Sequence, residues 1–142
     1  MENCQAAHRH ALSVRWGECD QQGVVFNAHY LAYIDDALET WLRPLRARPE
    51  TRDWDVMLVR CNIEWYGSLR SGDRLEMQVA IARWGRTSFD VGFTGSSAGR
   101  PVFGALAVYV SVDKESGKSV ETPARVREHL GAPVDLIGRH RP

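Results

Sequence analysis

From position 30 onward the large apolar residues fall at Tyr30, Ile34, Leu38 and Trp41, with Ala37 between them. That spacing predicts a helix with one face turned to a core. Asp35, Asp36, Glu39, Thr40 and Arg43 lie mostly off the stripe, and Glu39 with Arg43 is a favourable i,i+4 pair. The helix is expected to end near Pro44, with Asn27 as its N-cap and the remaining N–H groups of the first turn left free. Ahead of it, Leu12, Val14 and Trp16 alternate with Ala11, Ser13 and Arg15, a short strand from Ala11 to Trp16. After the charged connection 47–54 come four strand segments: Val56 to Tyr66, Arg74 to Trp84, Thr87 to Gly95 and Pro101 to Val112. Ser71-Gly72-Asp73, Trp84-Gly85-Arg86 and Ser96 to Gly99 read as hairpin turns between them. Long strands joined by tight turns predict an antiparallel sheet whose concave face the helix covers, a single α+β domain. Thr122-Pro123 opens a short helix that stops at Gly131; the core is expected over about 11–131, with a loose tail carrying Arg139, His140 and Arg141.

Between strand and helix the chain reads Trp16-Gly17-Glu18-Cys19-Asp20-Gln21-Gln22-Gly23, too polar and irregular for either element. Asp20, followed after two residues by Gly23, describes a turn. It also admits a chemical reading. A carboxylate folded back toward free N–H groups and the positive end of a helix dipole is half of an acyl-transfer site: the N–H groups hold an oxyanion while the carboxylate activates water or attacks. Thioesters suit such a site, because a thiol with a pKa of about 8.5 departs as thiolate without a strong general acid. The residues alone leave both readings open.

Composition narrows the partners. The chain has 142 residues with 18 basic and 18 acidic side chains. This is the length of one domain, and the charge balance argues against nucleic acid or an anionic membrane as the main partner. Cys4, Cys19 and Cys61 are an odd set without C-x-x-C spacing, so neither a disulfide framework nor a zinc site is expected, and a reducing, cytoplasmic setting is. The first ten residues lack an apolar signal region and no apolar run approaches the roughly 18 residues of a membrane span, so neither export nor insertion is expected. His8, His10, His129 and His140 lie toward the chain ends and are expected to be solvated.

The order of one strand, a long helix and four long antiparallel strands combines with three sequence elements. They are Glu18 to Val25 followed by Asn27, Tyr30 and Asp35; Arg60-Cys61-Asn62; and Trp84-Gly85-Arg86-Thr87-Ser88-Phe89. From about Val14 to Leu130 the chain resembles the hot-dog-fold acyl-CoA thioesterases, most of all the 4-hydroxybenzoyl-CoA thioesterase group. The resemblance implies that Asp20, in the Gly23 loop, is nucleophile or general base and that the backbone N–H of Asn27 polarises the thioester carbonyl. Arg86 would meet the CoA phosphates, beside Arg83, Thr87 and Ser88; Gly85 and Thr87 stand where the family has further basic residues, which leaves room for Arg83, Arg70 or Arg100. Tyr30, Asp35 and Trp65 would shape a pocket for an aromatic acyl group. No metal or redox cofactor is implied, CoA being part of the substrate, and the expected assembly is a homo-oligomer, a dimer of hot dogs and further a tetramer. An unprotected edge strand invites such pairing.

Two alternatives accompany this expectation. A hot-dog dehydratase or hydratase would need a histidine and a carboxylate together, for which His29 is the candidate. A non-catalytic acyl-CoA-binding module would use the pocket without the Asp20 chemistry. Cys19 with His29 could also suggest a thiol nucleophile, against which stands an inert small thiol. Asp35 and Asp36, about 100° apart on a helix, cannot both face one site.

Overall fold

The computed structural model describes residues 6–136, so Cys4, Arg139, His140 and Arg141 lie outside the described residues. Strand β1 (His8–Ser13) leads through two short 3₁₀ turns to helix α1 (Tyr30–Arg46). Then follow β2 (Trp54–Trp65), β3 (Arg74–Trp84), β4 (Ser88–Ser97), β5 (Arg100–Asp113) and helix α2 (Ala124–Leu130). The strands form one antiparallel sheet in the order β1-β3-β4-β5-β2. No helix among the described residues is long and apolar enough to cross a membrane.

Helix α1 buries Tyr30, Tyr33, Ile34, Ala37, Leu38, Trp41, Leu42 and Leu45. These meet the inward rows of the sheet, where size alternates across neighbouring strands: Val79–Phe93–Ala105 and Ile81–Val91–Ala107 in two rows, Met77–Gly95–Phe103 in a third. A small residue beside a large one leaves the hollow in which a helix can seat. At Gly95 this is extreme, since the Phe103 ring lies where a Cβ would stand.

Several expectations are corrected. Strand β1 begins at His8 and ends at Ser13, and Trp16 lies beyond it in a 3₁₀ turn, 83% exposed. Helix α1 continues through Pro44 to Arg46; its packed last turn outweighs the one intrahelical donor that proline lacks. Glu39 pairs with Arg46, which also reaches Asp55 on β2, so this ion pair ties helix to sheet. Ser71-Gly72-Asp73 is no hairpin, because β2 and β3 lie three strand positions apart: residues 66–73 cross the end of the sheet. The β4–β5 connection is a two-residue hairpin, with Ala98 and Gly99 both at positive φ. Thr122 does not cap α2. Its hydroxyl is buried against Ser111 at 2.7 Å, and Pro123 takes the cap position.

Three histidines expected in solvent are engaged instead. His8 stacks on Trp41, His10 meets Asp36 at 2.9 Å, and His129 bonds the Trp41 carbonyl at 2.7 Å. Asp36 is thereby a paired helix residue.

Candidate active site

The stretch between β1 and α1 folds as a miniature hairpin. Cys19 bridges to Val25, the Asp20 N–H donates to the Val24 carbonyl at 2.9 Å, and the Gly23 N–H donates to the Asp20 carbonyl at 2.9 Å. Gly23, at φ +79°, allows the chain to reverse there. At the tip, Asp20 Oδ1 accepts from the Gln22 N–H at 2.8 Å, which pins one carboxylate oxygen. Oδ2 has no partner among the described residues, and the side chain is exposed. The crossing segment supports this hairpin from the sheet end: Val25 N–H donates to the Leu69 carbonyl at 2.9 Å, and the Arg70 guanidinium lies beside Gly23.

Asn27 is not the N-cap of α1. It opens a 3₁₀ turn over Asn27–His29, the α-helix starts at Tyr30, and the Asn27 side chain makes no capping bond. Its backbone N–H and that of Ala28 donate to no acceptor among the described residues, whereas those of His29 and Tyr30 are used by Phe26 and by the turn itself. Two open donors thus stand at the head of the helix one residue beyond the Asp20 hairpin.

Glu18, quoted above only as part of a motif, is the most heavily bonded side chain of the region. It is 9% exposed. Its Oε1 accepts from the Arg15 N–H at 2.8 Å and from the Tyr33 hydroxyl at 2.8 Å, and its Oε2 from Arg15 Nε at 3.1 Å. His29 Nε2 stands 3.4 Å from Oε2. Burial pushes the Glu18 carboxyl up, but the Arg15 N–H, the Tyr33 hydroxyl and the Arg15 guanidinium outweigh it and hold the group below the usual 4.5. Burial, with Glu18 next, pushes the Tyr33 phenol up, so it stays a donor. Cys19 turns its thiol to the Arg15 carbonyl at 3.9 Å, and His29 meets Glu18 rather than Cys19, so no thiol–imidazole pair forms.

A stability consequence follows from the sign of that shift. The folded pKa of Glu18 lies below its unfolded value, so the stabilisation is whole above about 4.5 and is lost as pH falls through the folded pKa. Thermal melts of the wild type should fall below that pH, and Glu18→Gln should show a shallower fall; parallel curves would deny Glu18 this share of acid sensitivity.

The aromatic residues separate. Tyr30 is core, 2% exposed, edge-to-face with Trp65 at 5.8 Å and with Phe103 at 5.4 Å, so it supports the pocket wall rather than lining it. Trp65, 43% exposed, lines an open trough of about 950 Å³ along β2 with Leu31, Cys61 and Leu106. Leu58 lines both this trough and a smaller hollow of about 350 Å³ beside α1, where Asp35 and Tyr109 stand. Burial raises the Asp35 carboxyl and, with Asp35 nearby, the Cys61 thiol. The Tyr109 hydroxyl there is buried without a hydrogen-bond partner among the described residues.

Arg83 and Arg86 do not join Asp20 within one chain, whereas Arg70 does stand at the hairpin, its guanidinium beside Gly23. Ser13 pairs with Arg74, so the Asp20 hairpin leaves the sheet at the start of β3, whereas Arg83, Arg86, Thr87 and Ser88 lie at its other end. Ten residues of strand separate the two, about 33 Å at roughly 3.3 Å each. Arg83 is engaged by Asp90 at 3.2 Å and reaches Ser88 Oγ at 3.5 Å. Arg86, 76% exposed, is only 3.9 Å from Glu121. The Thr87 carbonyl accepts from the Ser111 N–H, and Arg127, lying over Trp84, holds the Gly85 and Arg86 carbonyls. Among the described residues no group of three or more His, Cys, Asp or Glu is placed to hold a metal ion.

Comparison with known proteins agrees with this architecture. The 1,4-dihydroxy-2-naphthoyl-CoA hydrolase of Synechococcus elongatus is 24% identical over 127 residues, covering 86% of this chain and 93% of that protein. The crystal structure of the PA5185 protein from Pseudomonas aeruginosa superposes with a TM-score of 0.79 at 25% identity, covering 89% of this chain and 90% of that one. A 4-hydroxybenzoyl-CoA thioesterase mutant complexed with 4-hydroxybenzoyl-CoA shares the fold, with a TM-score of 0.78 at 20% identity over 87% of this chain and 97% of that one. Residues 14–130, which run from just after β1 to the end of α2 and so enclose the hairpin, helix α1 and strands β2 to β5, match the thioesterase-like superfamily, and the chain belongs to it.

Proposed function

We propose that this thioesterase hydrolyses acyl-CoA thioesters with an aromatic acyl group, to the free acid and CoA, at the Asp20 hairpin. The observation that carries the proposal is a hairpin carboxylate with one oxygen pinned and one open, followed one residue beyond the hairpin by a helix head with two unused N–H groups. Water activated by Asp20, or the Asp20 carboxylate itself, attacks the carbonyl carbon. The N–H groups of Asn27 and Ala28 receive the oxyanion, and the C–S bond breaks to release CoA thiolate. If Asp20 attacks, water then hydrolyses the resulting anhydride and restores the carboxylate. The trough beside Trp65, with the neighbouring hollow of Asp35 and Tyr109, suits a flat ring with a polar edge. The naphthoyl-CoA and hydroxybenzoyl-CoA specificities in the names of the relatives point the same way.

The functional unit in this reading is a homodimer. Strand β2 is a sheet edge with Met57, Leu58 and Val59 exposed. Pairing it antiparallel with β2 of a second copy sets opposite ends of the two sheets side by side, which would bring the Arg83–Ser88 hairpin of one copy toward the Asp20 end of the other. Such pairing would offset the separation along the strands noted above and bring cations toward the end of the sheet where the CoA phosphates would lie.

The test is CoA release, followed with a thiol-reactive dye, across aryl-CoA and aliphatic-CoA esters. Aryl esters are expected to exceed aliphatic ones at least about tenfold in kcat/KM, the range a pocket can discriminate. Absence of turnover on every ester would sink the proposal. Stoichiometric binding without turnover would point to the acyl-CoA-binding alternative, and water elimination from a 3-hydroxyacyl-CoA to the dehydratase. His29 does meet a carboxylate, but Glu18 is already occupied by Arg15 and Tyr33, which leaves no free pair for the latter chemistry.

A further inference from the structure

We propose that Glu18 is a positioning residue for the hydrolysis, holding the Asp20 hairpin at the head of α1; this rests on the reading that Asp20 is the reacting carboxylate. Glu18 is where three parts of the chain meet. Its carboxylate takes donors from Arg15, before the hairpin, and from Tyr33, one turn into α1, with His29 3.4 Å away at the helix head. Its carbonyl accepts from the Phe26 N–H at 3.1 Å, closing the base of the hairpin directly beneath the Asp20 turn. The same residue therefore fixes the hairpin internally and fixes it to the helix whose preceding 3₁₀ turn carries the Asn27 and Ala28 N–H groups.

Stability alone does not account for a carboxylate there. Withdrawing a charge from water is costly, and an apolar side chain of similar volume often serves a core as well or better. A buried acceptor with directional bonds to a defined hydroxyl and a defined N–H sets one geometry, where an apolar contact would permit several. The surroundings match: Arg15, His29, Tyr33 and Asp36 are the charged or titratable groups that line, with Glu18, the hollow of about 450 Å³ between β1 and α1. Reaction rate is sensitive to such placement, since a displacement of about 1 Å can cost on the order of 100-fold.

The test is a kinetic cycle in the CoA-release assay on Glu18→Gln, Asp20→Asn and the double variant, with folding followed by thermal melting. Glu18→Gln is expected to lower kcat roughly 10- to 100-fold with KM changed less than about threefold. Tyr33→Phe, which removes one donor and keeps the ring, should fall on the same path with a smaller loss, about 3- to 10-fold. In the Asp20→Asn background, Glu18→Gln should add no further loss, because a residue that acts through Asp20 has nothing left to position. Independent, multiplying losses would overturn the proposal, as would a folded Glu18→Gln with wild-type kcat. Wild-type turnover in Asp20→Asn itself would overturn the reading beneath it, and is told apart because it needs no Glu18 variant. Should Glu18→Gln fail to fold, the Tyr33→Phe and Asp20→Asn pair completes the same cycle.

Discussion

Asp20→Asn is expected to lower kcat on an aryl-CoA ester by 10²- to 10⁴-fold, about 3 to 5 kcal/mol of barrier, with little change in KM or in melting temperature. The substitution is nearly isosteric. Its amide oxygen can still accept from the Gln22 N–H, so the turn that the Asp20 carboxylate now closes at 2.8 Å is kept. What is lost is the charge: a neutral amide neither takes a proton from water nor attacks a carbonyl. A structural role and a chemical role therefore predict opposite results. If Asp20 only closes the turn, turnover stays within a few-fold of wild type; if it reacts, turnover collapses in a protein that melts normally. Single-turnover CoA release beside a thermal melt separates them.

Gly95→Ala should destabilise the protein by about 1 to 3 kcal/mol and also slow it. A Cβ at Gly95 would stand 2.3 Å from Phe103 Cε1, 2.6 Å from Cδ1 and 3.0 Å from Leu75 Cδ1. The Phe103 ring is buried and its other side meets Tyr30 edge-to-face at 5.4 Å. Tyr30 is the first residue of α1 and carries Trp65 against its own edge at 5.8 Å. A ring pushed off Gly95 thus moves the head of the helix and the wall of the trough together. Melting should fall by roughly 3 to 10 °C, at a few degrees per kcal/mol for a domain of this size. Combining Gly95→Ala with Phe103→Leu, which frees space at that contact, should recover part of it. A melting point within about 1 °C of wild type would show that the ring relocates at no cost and that helix head and sheet are not coupled through it.

Where the sequence was legible, a local repeat carried the signal. The four-residue recurrence from Tyr30 to Trp41 and the alternation through β3 and β4 gave the helix and strands nearly to the residue, because which face a side chain takes within one element depends only on its neighbours in sequence. The Asp20 turn was legible for the same reason, its bonds spanning two and three residues. Asn27 departs from its local preference as a cap because a 3₁₀ turn intervenes between it and α1, and packing of Leu42 and Leu45 carries the helix two residues past Pro44, near its expected end. Glu18 left a faint trace, an acid three residues after Arg15 around a turn. Its decisive bond, to Tyr33 fifteen residues on, left none.

By itself, then, the sequence determined the elements and the carboxylate turn ahead of the helix, consequences of contacts within a few residues of chain, while the hot-dog class was legible only through the resemblance of its motifs to a family. Only the tertiary structure decided the strand order that sends residues 66–73 across the sheet end beneath the Asp20 hairpin, the burial of Glu18 against α1, and the separation of Arg83 and Arg86 from Asp20 by the length of a strand. Those depend on which distant segments share one core, and side-chain periodicity specifies a face without specifying its partner.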